Sequence, residues 1–355
     1  MYLNELCLGK DNNLNLVRVI AASAVLVSHA YPISLGPGTP EPLSYSTNIS
    51  LGALSVYVFF FISGFLITQS FDRSSSWRSF FVARALRLMP GLIVSLILVG
   101  LVVGPLITTW SLGSYFTDPK LLRFMIGNAS LIFMQYELPG VFEDLPYHAI
   151  VGSIWTLFYE AFCYAGVFIL GISGLIHRPV STTIILASVL TAGFMCDLLD
   201  NEMPWRLGYI QTLTVPFILG MLAYLWRSYV FMVWWLLPLA LILPVVAFHT
   251  ASYHLAVCLS LSYWTLWFGY IPKGTIRHFN KIGDYSYGIY VYAFPVQGLA
   301  VNFMGPQSPI QNILYSLPPT VLLGVLSWHL VEKPAMAQKN RIVNLITPTA
   351  RLRTH

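Results

Sequence analysis

The sequence predicts an all-α polytopic membrane protein, and three observations support this fold class. Hydrophobic residues make up 56% of the 355 residues and charged residues only 9%, a composition too apolar for a water-soluble domain. Apolar stretches of about 17–22 residues, the length of a transmembrane helix, recur from one end of the chain to the other. No long polar block separates them, so we predict one membrane domain over 1–355, with its core at 10–334 and a cytoplasmic tail at 335–355.

Transmembrane helices are predicted wherever an apolar stretch long enough to cross the bilayer is bounded by polar or turn-forming residues. This rule gives about ten spans, at 14–33, 51–70, 88–108, 150–172, 180–199, 209–226, 230–248, 254–271, 284–303 and 311–330. A further apolar stretch at 121–136 is shorter and has charged flanks, so we predict a re-entrant or interfacial helix there. An eleventh span at that point would reverse the sidedness of every later loop.

Basic residues predict the orientation of these spans. Sixteen of the nineteen Lys and Arg residues fall on one side of the predicted topology, namely Lys10, Arg18, Arg73, Arg78, Arg84, Arg87, Arg178, Arg227, Lys273, Arg277, Lys281, Lys333, Lys339, Arg341, Arg351 and Arg353. By the positive-inside rule that side is the cytoplasm, and both termini lie there. The net charge of +5 therefore reports membrane orientation, and we predict no nucleic-acid partner. The cysteines and histidines show no metal-ligand spacing, so no metal site is predicted.

Two ionisable residues stand out in the first span, LVRVIAASAVLVSHAYPI. Arg18 and His29 are eleven residues apart, so they lie within about 20° of the same helix face and about 16 Å apart along the axis. We therefore expect both side chains to point into one cleft. Because ionisable residues inside a membrane are costly, the pair predicts a functional site. The alternative is structural, with Arg18 near the helix end and His29 satisfied by a neighbouring helix.

A basic segment precedes the third predicted span and carries Arg84 and Arg87 one helical turn apart. We expect both arginines, with Pro90, at the entrance of that span. Two guanidinium groups beside a helix N-terminus suit a polyanionic ligand such as a phosphate ester. The alternative is a topology determinant that binds anionic membrane lipid.

The fourth span places a carboxylate near the middle of the membrane. Glu160 lies about ten residues into that span, and Tyr164 follows one turn later on the same face. A carboxylate at this depth needs a cation or a proton, and contact with His29 would orient the imidazole and stabilise its protonated form. Glu160 could instead pair with Arg18. Trp155 is either a ligand contact or an interfacial anchor.

Six short motifs follow one another along almost the whole chain. They are Arg18 with His29, FFFISGFLI at 59–67, Arg84-x-x-Arg87 with Pro90, Trp155-Thr-Leu-x-x-Glu160 with Tyr164, Gly283-Asp-Tyr-Ser-Tyr-Gly-Ile-Tyr290, and Val331-Glu-Lys-Pro334. In this order they resemble membrane acyltransferases of the acyltransferase-3 type. The resemblance implies a bacterial inner-membrane enzyme that moves acyl groups, often acetyl from cytoplasmic acetyl-CoA, to hydroxyls of cell-surface carbohydrates such as O-antigen, Nod factor or exopolysaccharide. No soluble hydrolase-like domain, which some relatives carry, follows the last predicted span.

From the residues and this resemblance together we expect O-acyl transfer. Arg84 and Arg87 would hold the phosphates of acyl-CoA, and Arg18 would contact another polar part of this donor. His29 would act as general base or as transient acyl carrier, with Glu160 tuning it and with Trp155 and Tyr164 in support. The expected acceptor is a carbohydrate or lipid-linked saccharide, and a homo-oligomer is compatible with the sequence. The alternative function is a proton-coupled transporter or flippase of a small anion or lipid-linked sugar.

Overall fold

The computed structural model of the protein describes residues 1–7, 9, 11–74, 76–198 and 205–346. At 196–198 and 205–207 it describes the backbone alone. Lys10, the last residue of the predicted span 180–199, and the part of the predicted tail at 347–355 lie outside the described residues. The principal helices are α1 (Leu14–Leu35), α2 (Leu51–Asp72), α3 (Trp77–Ile107), α4 (Pro119–Ser130), α5 (Thr156–Ile172), α6 (Pro179–Leu198), α7 (Trp205–Leu225), α8 (Leu236–Val246), α9 (Tyr253–Tyr270), α10 (Ser286–Met304) and α11 (Pro309–Ile346).

The all-α prediction is confirmed, because the structure is 76% helix and has no strand among the described residues. The predicted number of ten spans is not confirmed. Six of the described helices are long and apolar enough to cross a membrane, or seven if α9 and the helical segment Thr275–Ile282, which meet at 92°, form one span. Helix α8 has only 11 residues, about 16 Å, against a hydrocarbon core of about 30 Å. Helix α10 is rich in tyrosine and too polar to pass the same criterion.

Helix α3 begins earlier than predicted. Ser76 caps it at Trp77, where the Ser76 hydroxyl accepts a hydrogen bond from the backbone N–H of Ser79. Arg84 and Arg87 therefore lie inside the helix, and their predicted position at a helix entrance is wrong. Pro90 is likewise an interior residue. Further along, α3 contains a π-helical turn at Leu98–Val103, a local widening that proteins often place near functional sites.

The segment 121–136 is helical only in its first part. Helix α4 ends at Ser130, where Leu131 adopts a left-handed conformation (φ 63°), and the chain continues without regular structure to residue 150. With 12 residues, about 18 Å, α4 is too short to cross a bilayer. It packs against α3. These features agree with a helix that does not span the membrane, and its interfacial or re-entrant position stays a prediction.

Helices α2 and α7 make the most extensive packing contact, and glycine permits it. A Cβ atom on Gly64 would lie 2.0 Å from the backbone oxygen of Phe217, and one on Gly220 would lie 2.1 Å from that of Phe61. Small residues at such contacts let two helix backbones approach closely, as is common between membrane helices. The FFFISGFLI motif therefore has a packing role through Gly64.

Helix α1 lies at the centre of the bundle, packed against α2, α9, α10 and α11. Helix α10 is also interior, since most of its residues from Ser286 to Gly298 are buried. Gln297 of α10 is fully buried, and its amide donates to the backbone oxygen of Leu26 in α1 at 2.8 Å and to Asn312 Oδ1 in α11 at 3.0 Å. This packing holds the polar residues of α1 and α10 in the interior of the protein.

Candidate active site

A cluster of four charged residues joins α1, α3, α10 and α11. Arg18 donates to Asp284 Oδ2, and Arg87 donates to the same oxygen at 2.5 Å. Arg87 also donates to Glu332 Oε2 at 3.0 Å. The four side chains are between 0% and 17% exposed, so two positive and two negative charges balance one another away from solvent. A buried ion cluster requires this balance, because an unpaired buried charge is strongly unfavourable.

Hydroxyl groups complete the cluster. The hydroxyl of Ser286 donates to Asp284 Oδ1 at 2.5 Å, and that of Ser327 donates to Glu332 Oε1 at 2.9 Å. Glu332 lies at the end of a π-helical turn in α11, Trp328–Glu332. The guanidinium of Arg87 also lies 5.6 Å from the ring centre of Trp328, within the range of a cation–π contact. These contacts give Arg87 two carboxylate partners and one aromatic partner, and Arg87 also lines the neighbouring cavity.

A narrow cavity of about 50 Å³ opens beside this cluster, and we call it the donor cavity after the role proposed for it below. Glu160 lines it and accepts hydrogen bonds from the Ser63 hydroxyl at 3.1 Å and from the Tyr164 hydroxyl. Arg84 lies close enough to Glu160 for their charges to interact, and its buried Nε has no hydrogen-bond partner among the described residues. The predicted face shared by Glu160 and Tyr164 is confirmed. Glu160 does not pair with Arg18, which is bound to Asp284.

A much larger cavity of about 780 Å³ lies towards the other end of α1, and we call it the acceptor cavity after the role proposed for it below. His29 forms part of its wall, with its ring 5.4 Å from that of Phe294. The Nδ1 atom of His29 is buried and has no hydrogen-bond partner among the described residues. Because a neutral imidazole offers one donor and one acceptor nitrogen, an unsatisfied ring nitrogen in a cavity wall is available to a ligand.

Glu41 brings a carboxylate to this cavity from the loop between α1 and α2. It lines the cavity together with His29, and its negative charge is close enough to act on the imidazole. The Ser28 hydroxyl donates to Glu41 and accepts from the backbone N–H of Gly52 at 2.8 Å. A Cβ atom on Gly52 would come within 3.1 Å of Glu41 Oε2, so glycine leaves room for this contact. The loop is thereby anchored to both helices.

The two cavities are separate, which corrects the expected single cleft. Arg18 and Glu160 line the donor cavity, whereas His29 lines the acceptor cavity. The expected contact between Glu160 and His29 is therefore absent from this structure. Two residues, Val56 and Tyr290, line both cavities. They form a dividing wall.

Tyr290 is held firmly in this wall. Its hydroxyl donates to the backbone oxygen of Ser153 at 2.7 Å and lies 2.6 Å from the hydroxyl of Thr156. The Ser153 hydroxyl in turn donates to the backbone oxygen of Tyr290 at 2.9 Å. These bonds fix α10 against the start of α5. Tyr290 is therefore held by the backbone of Ser153 and by the hydroxyl of Thr156, at the start of α5.

Aromatic residues surround the acceptor cavity. Trp155 lines it and packs against Tyr209, with ring centres 4.7 Å apart. Tyr136 and Tyr147, from the loop segment before α5, also line it. Flat aromatic surfaces of this kind pack well against the apolar faces of sugar rings. The position of Trp155 in the cavity wall agrees with the predicted ligand contact, which stays a prediction.

Three acidic residues of the site were not selected by sequence reasoning, namely Glu41, Asp284 and Glu332. Asp284 and Glu332 belong to motifs quoted above for their resemblance, but nothing in the local pattern gave these acids a partner. The sequence does contain a signal for Asp284 and Glu332. A carboxylate beside an apolar stretch needs a cation, and Arg18 and Arg87 need anions. Glu41 is the one acid of the loop at 34–50, and only the folded loop brings it to His29.

The fold and the two cavities define a multi-pass helical membrane protein with a polar, charge-balanced interior. Residues 11–329 match the model of a family described as "Acyltransferase domain", so the chain belongs to this acyltransferase family. The predicted resemblance is thereby confirmed, and the protein is an O-acyltransferase.

Two relatives are similar over nearly their entire length. An "O-acetyl transferase" of Shigella phage Sf6 is 30% identical over 370 residues, which cover 95% of this chain and 99% of the relative. "Nodulation protein 10" of Rhizobium leguminosarum bv. viciae is 29% identical over 370 residues, which cover 96% and 97%. No solved structure matches the chain.

Proposed function

We propose that the protein transfers an acetyl group from cytoplasmic acetyl-CoA to a hydroxyl of a cell-surface carbohydrate, such as the O-antigen of lipopolysaccharide. The observation that carries this proposal is the pair of cavities that meet at Tyr290, one lined by arginine and the other by histidine and aromatic rings. A relative named O-acetyl transferase supports acetyl as the group transferred. The proposed location is the inner membrane of a bacterium, with both termini in the cytoplasm.

The donor cavity is proposed to receive the acyl-bearing arm of CoA. Arg87 already has two carboxylate partners, so the predicted phosphate clamp of Arg84 and Arg87 is revised. Arginine N–H groups also donate to amide and thioester carbonyl oxygens, and Arg84 Nε is free among the described residues to do so. Arg18, Arg84 and Arg87 are thus proposed to bind the neutral part of the donor. Glu160, held by Tyr164 and Ser63, is proposed to keep this part of the site in place.

The acceptor cavity is proposed to hold the sugar hydroxyl beside His29. As a general base, the imidazole takes the hydroxyl proton while the oxygen attacks the thioester carbonyl, and the proton passes to the departing thiolate of CoA. As an acyl carrier, a ring nitrogen of His29 attacks the thioester carbonyl and CoA leaves as its thiolate. The sugar hydroxyl then attacks the acyl group, the bond to the ring nitrogen breaks, and the hydroxyl proton neutralises the thiolate. In either route the imidazole becomes positively charged, and the carboxylate of Glu41 favours that state. Ternary-complex kinetics would support the base, and ping-pong kinetics the carrier.

Labelling tests the function directly. Membranes that contain the protein are incubated with acetyl-CoA carrying a radiolabelled acetyl group and with a lipid-linked or polymeric saccharide from the same cells. We expect label in the saccharide, released by mild alkali as an ester would be, and none with membranes that contain His29→Ala. Label that stays with CoA, or transport of the donor without transfer, would contradict the proposal and favour a transporter.

A further inference from the structure

A basic pocket lies at the start of α1, the helix that carries Arg18 and His29 further along. Its volume is about 270 Å³, and its lining consists of Asp11, Lys273, Gly274, Arg277, His278 and Lys281. Most of these residues come from the sharply bent segment between α9 and α10. The proposed acyl transfer uses none of them.

Arg277 builds this pocket but does not supply its free charge. Its Nη1 donates to Asp11 Oδ2 at 2.6 Å, and its Nη2 and Nε donate to the backbone oxygens of Tyr270 and Pro272 at 2.6 and 2.9 Å. Arg277 and Asp11 therefore neutralise each other. Two further cations line the pocket, and they have a different role.

Lys273 and Lys281 are exposed and have no ion-pair partner among the described residues. Both line the pocket, so two uncompensated ammonium groups meet there. An ammonium group binds phosphate as a compact point charge with three donors. The chemistry of the pocket is therefore that of an anion site.

The pocket is fixed relative to the rest of the site. Asn13, immediately before α1, is 1% exposed, and its amide donates to the backbone oxygens of Phe268 and Pro272 at 3.1 and 2.9 Å. Its backbone N–H donates to the oxygen of Gly269 at 2.7 Å. These bonds lock the start of α1 to the end of α9. The basic pocket and α1 therefore form one rigid unit.

The donor cavity lacks the free positive charge that the basic pocket has. Arg18 and Arg87 line the donor cavity and pair with Asp284 and Glu332, and the third arginine, Arg84, lies close enough to Glu160 of the cavity wall for their charges to interact. CoA carries a pyrophosphate and a further phosphate at one end and a neutral arm at the other. Its neutral arm suits the charge-balanced cavity, and its phosphates require an uncompensated cation.

We propose that the basic pocket is a phosphate site and that it takes the phosphates of the nucleotide end of the CoA donor, an inference that rests on the proposed function. The donor then lies along α1. Its phosphates contact Lys273 and Lys281, its neutral arm passes Arg18, and its thioester points towards His29. Leu14 and His29 are about 22 Å apart along α1, a length that an extended molecule of this kind can follow.

Binding measurements on purified protein test this assignment. The test variant is Lys273→Gln with Lys281→Gln, and the matched control is Lys339→Gln with Arg341→Gln, which removes two positive charges near the end of α11, outside the pocket. Calorimetry in low-salt buffer compares CoA, 3′-dephospho-CoA and pantetheine. We expect the test variant to bind CoA at least about tenfold more weakly, to bind pantetheine as the wild type does, and to distinguish poorly between CoA and its dephosphorylated form. The control variant should match the wild type.

Three other outcomes would overturn the assignment, and each has a different meaning. In the first, the test variant binds CoA like the wild type but binds vesicles that contain phosphatidylglycerol more weakly than the wild type does, with binding to phosphatidylcholine vesicles unchanged. In that case the pocket serves a lipid headgroup and the CoA assignment is wrong. If the test variant binds CoA and phosphatidylglycerol as the wild type does, the pocket is not a phosphate site. Wild-type protein that neither binds CoA nor transfers acetyl would contradict the proposed function instead, so the two failures are distinguishable.

Discussion

Replacement of Glu332 by Gln tests the charge balance of the buried cluster. Glutamine keeps the size of the side chain; its one oxygen can accept from Arg87, and its NH2 group can donate to the Ser327 hydroxyl, so the main loss is the negative charge. The cluster would then hold Arg18 and Arg87 against Asp284 alone. Two unit charges about 4 Å apart interact by about 4 kcal/mol at the effective permittivity typical of proteins, and removing one partner of a buried pair costs about 3–5 kcal/mol.

We expect a loss of about 3 kcal/mol for Glu332→Gln, at the lower end of that range. Arg87 retains Asp284 at 2.5 Å, and the variant no longer buries the Glu332 carboxylate, so both effects reduce the cost. The double variant Arg18→Gln with Glu332→Gln leaves one cation and one anion. It should therefore be more stable than the sum of the two single losses predicts, since these residues act as one network.

The assay is reversible denaturant unfolding of purified protein in detergent micelles, followed by near-UV circular dichroism. Wild type, both single variants and the double variant form a double-mutant cycle. A Glu332→Gln variant as stable as the wild type would show that the cluster does not hold its charges in balance. Strict additivity of the two single losses would refute the reasoning in the same way.

Three further predictions concern catalysis, packing and orientation. His29→Ala should lower acetyl transfer at least about 100-fold with unchanged membrane insertion, because the residue is assigned to chemistry, and a loss below about tenfold would contradict this. Gly64→Ala should destabilise the fold by about 1–3 kcal/mol, because its Cβ would lie 2.0 Å from the Phe217 backbone oxygen, and an unchanged unfolding midpoint would refute that contact. A cysteine at exposed Ser46 should react with an impermeant thiol reagent in intact spheroplasts, whereas one at exposed Thr275 should react only after lysis, and the reverse pattern would invert the topology.

The positions of the helices could be predicted closely where an apolar run is bounded by turn residues. The spans predicted at 14–33 and 51–70 are Leu14–Leu35 and Leu51–Asp72 in the structure. The start of α3 was missed by eleven residues, because its first three turns carry arginines and resemble a loop. Arg87 is stable within the helix because Asp284 and Glu332, acids from distant segments, neutralise it, and hydropathy along the chain does not record that pairing.

The candidate site was predictable where a single residue is costly by itself. Arg18 and His29 stood out because ionisable groups are rare within apolar helices. Their partners were not predictable, since Arg18 pairs with Asp284, which is 266 residues away, and the carboxylate near His29 comes from a loop. The expectation that Glu160 would serve His29 assumed that polar residues at similar depth meet. The wall at Tyr290 keeps them apart.

The wall formed by Val56 and Tyr290 also bears on how the membrane stays closed to ions. The proposed reaction joins a cytoplasmic donor to an external acceptor, so both sides of the membrane would have to reach one centre without opening a continuous aqueous path. Val56 and Tyr290 close the boundary between the two cavities, and the hydroxyl of Tyr290 is tied to the backbone of Ser153. If the proposed transfer takes place here, these two side chains are the barrier to ions at the point where the acyl group changes cavity.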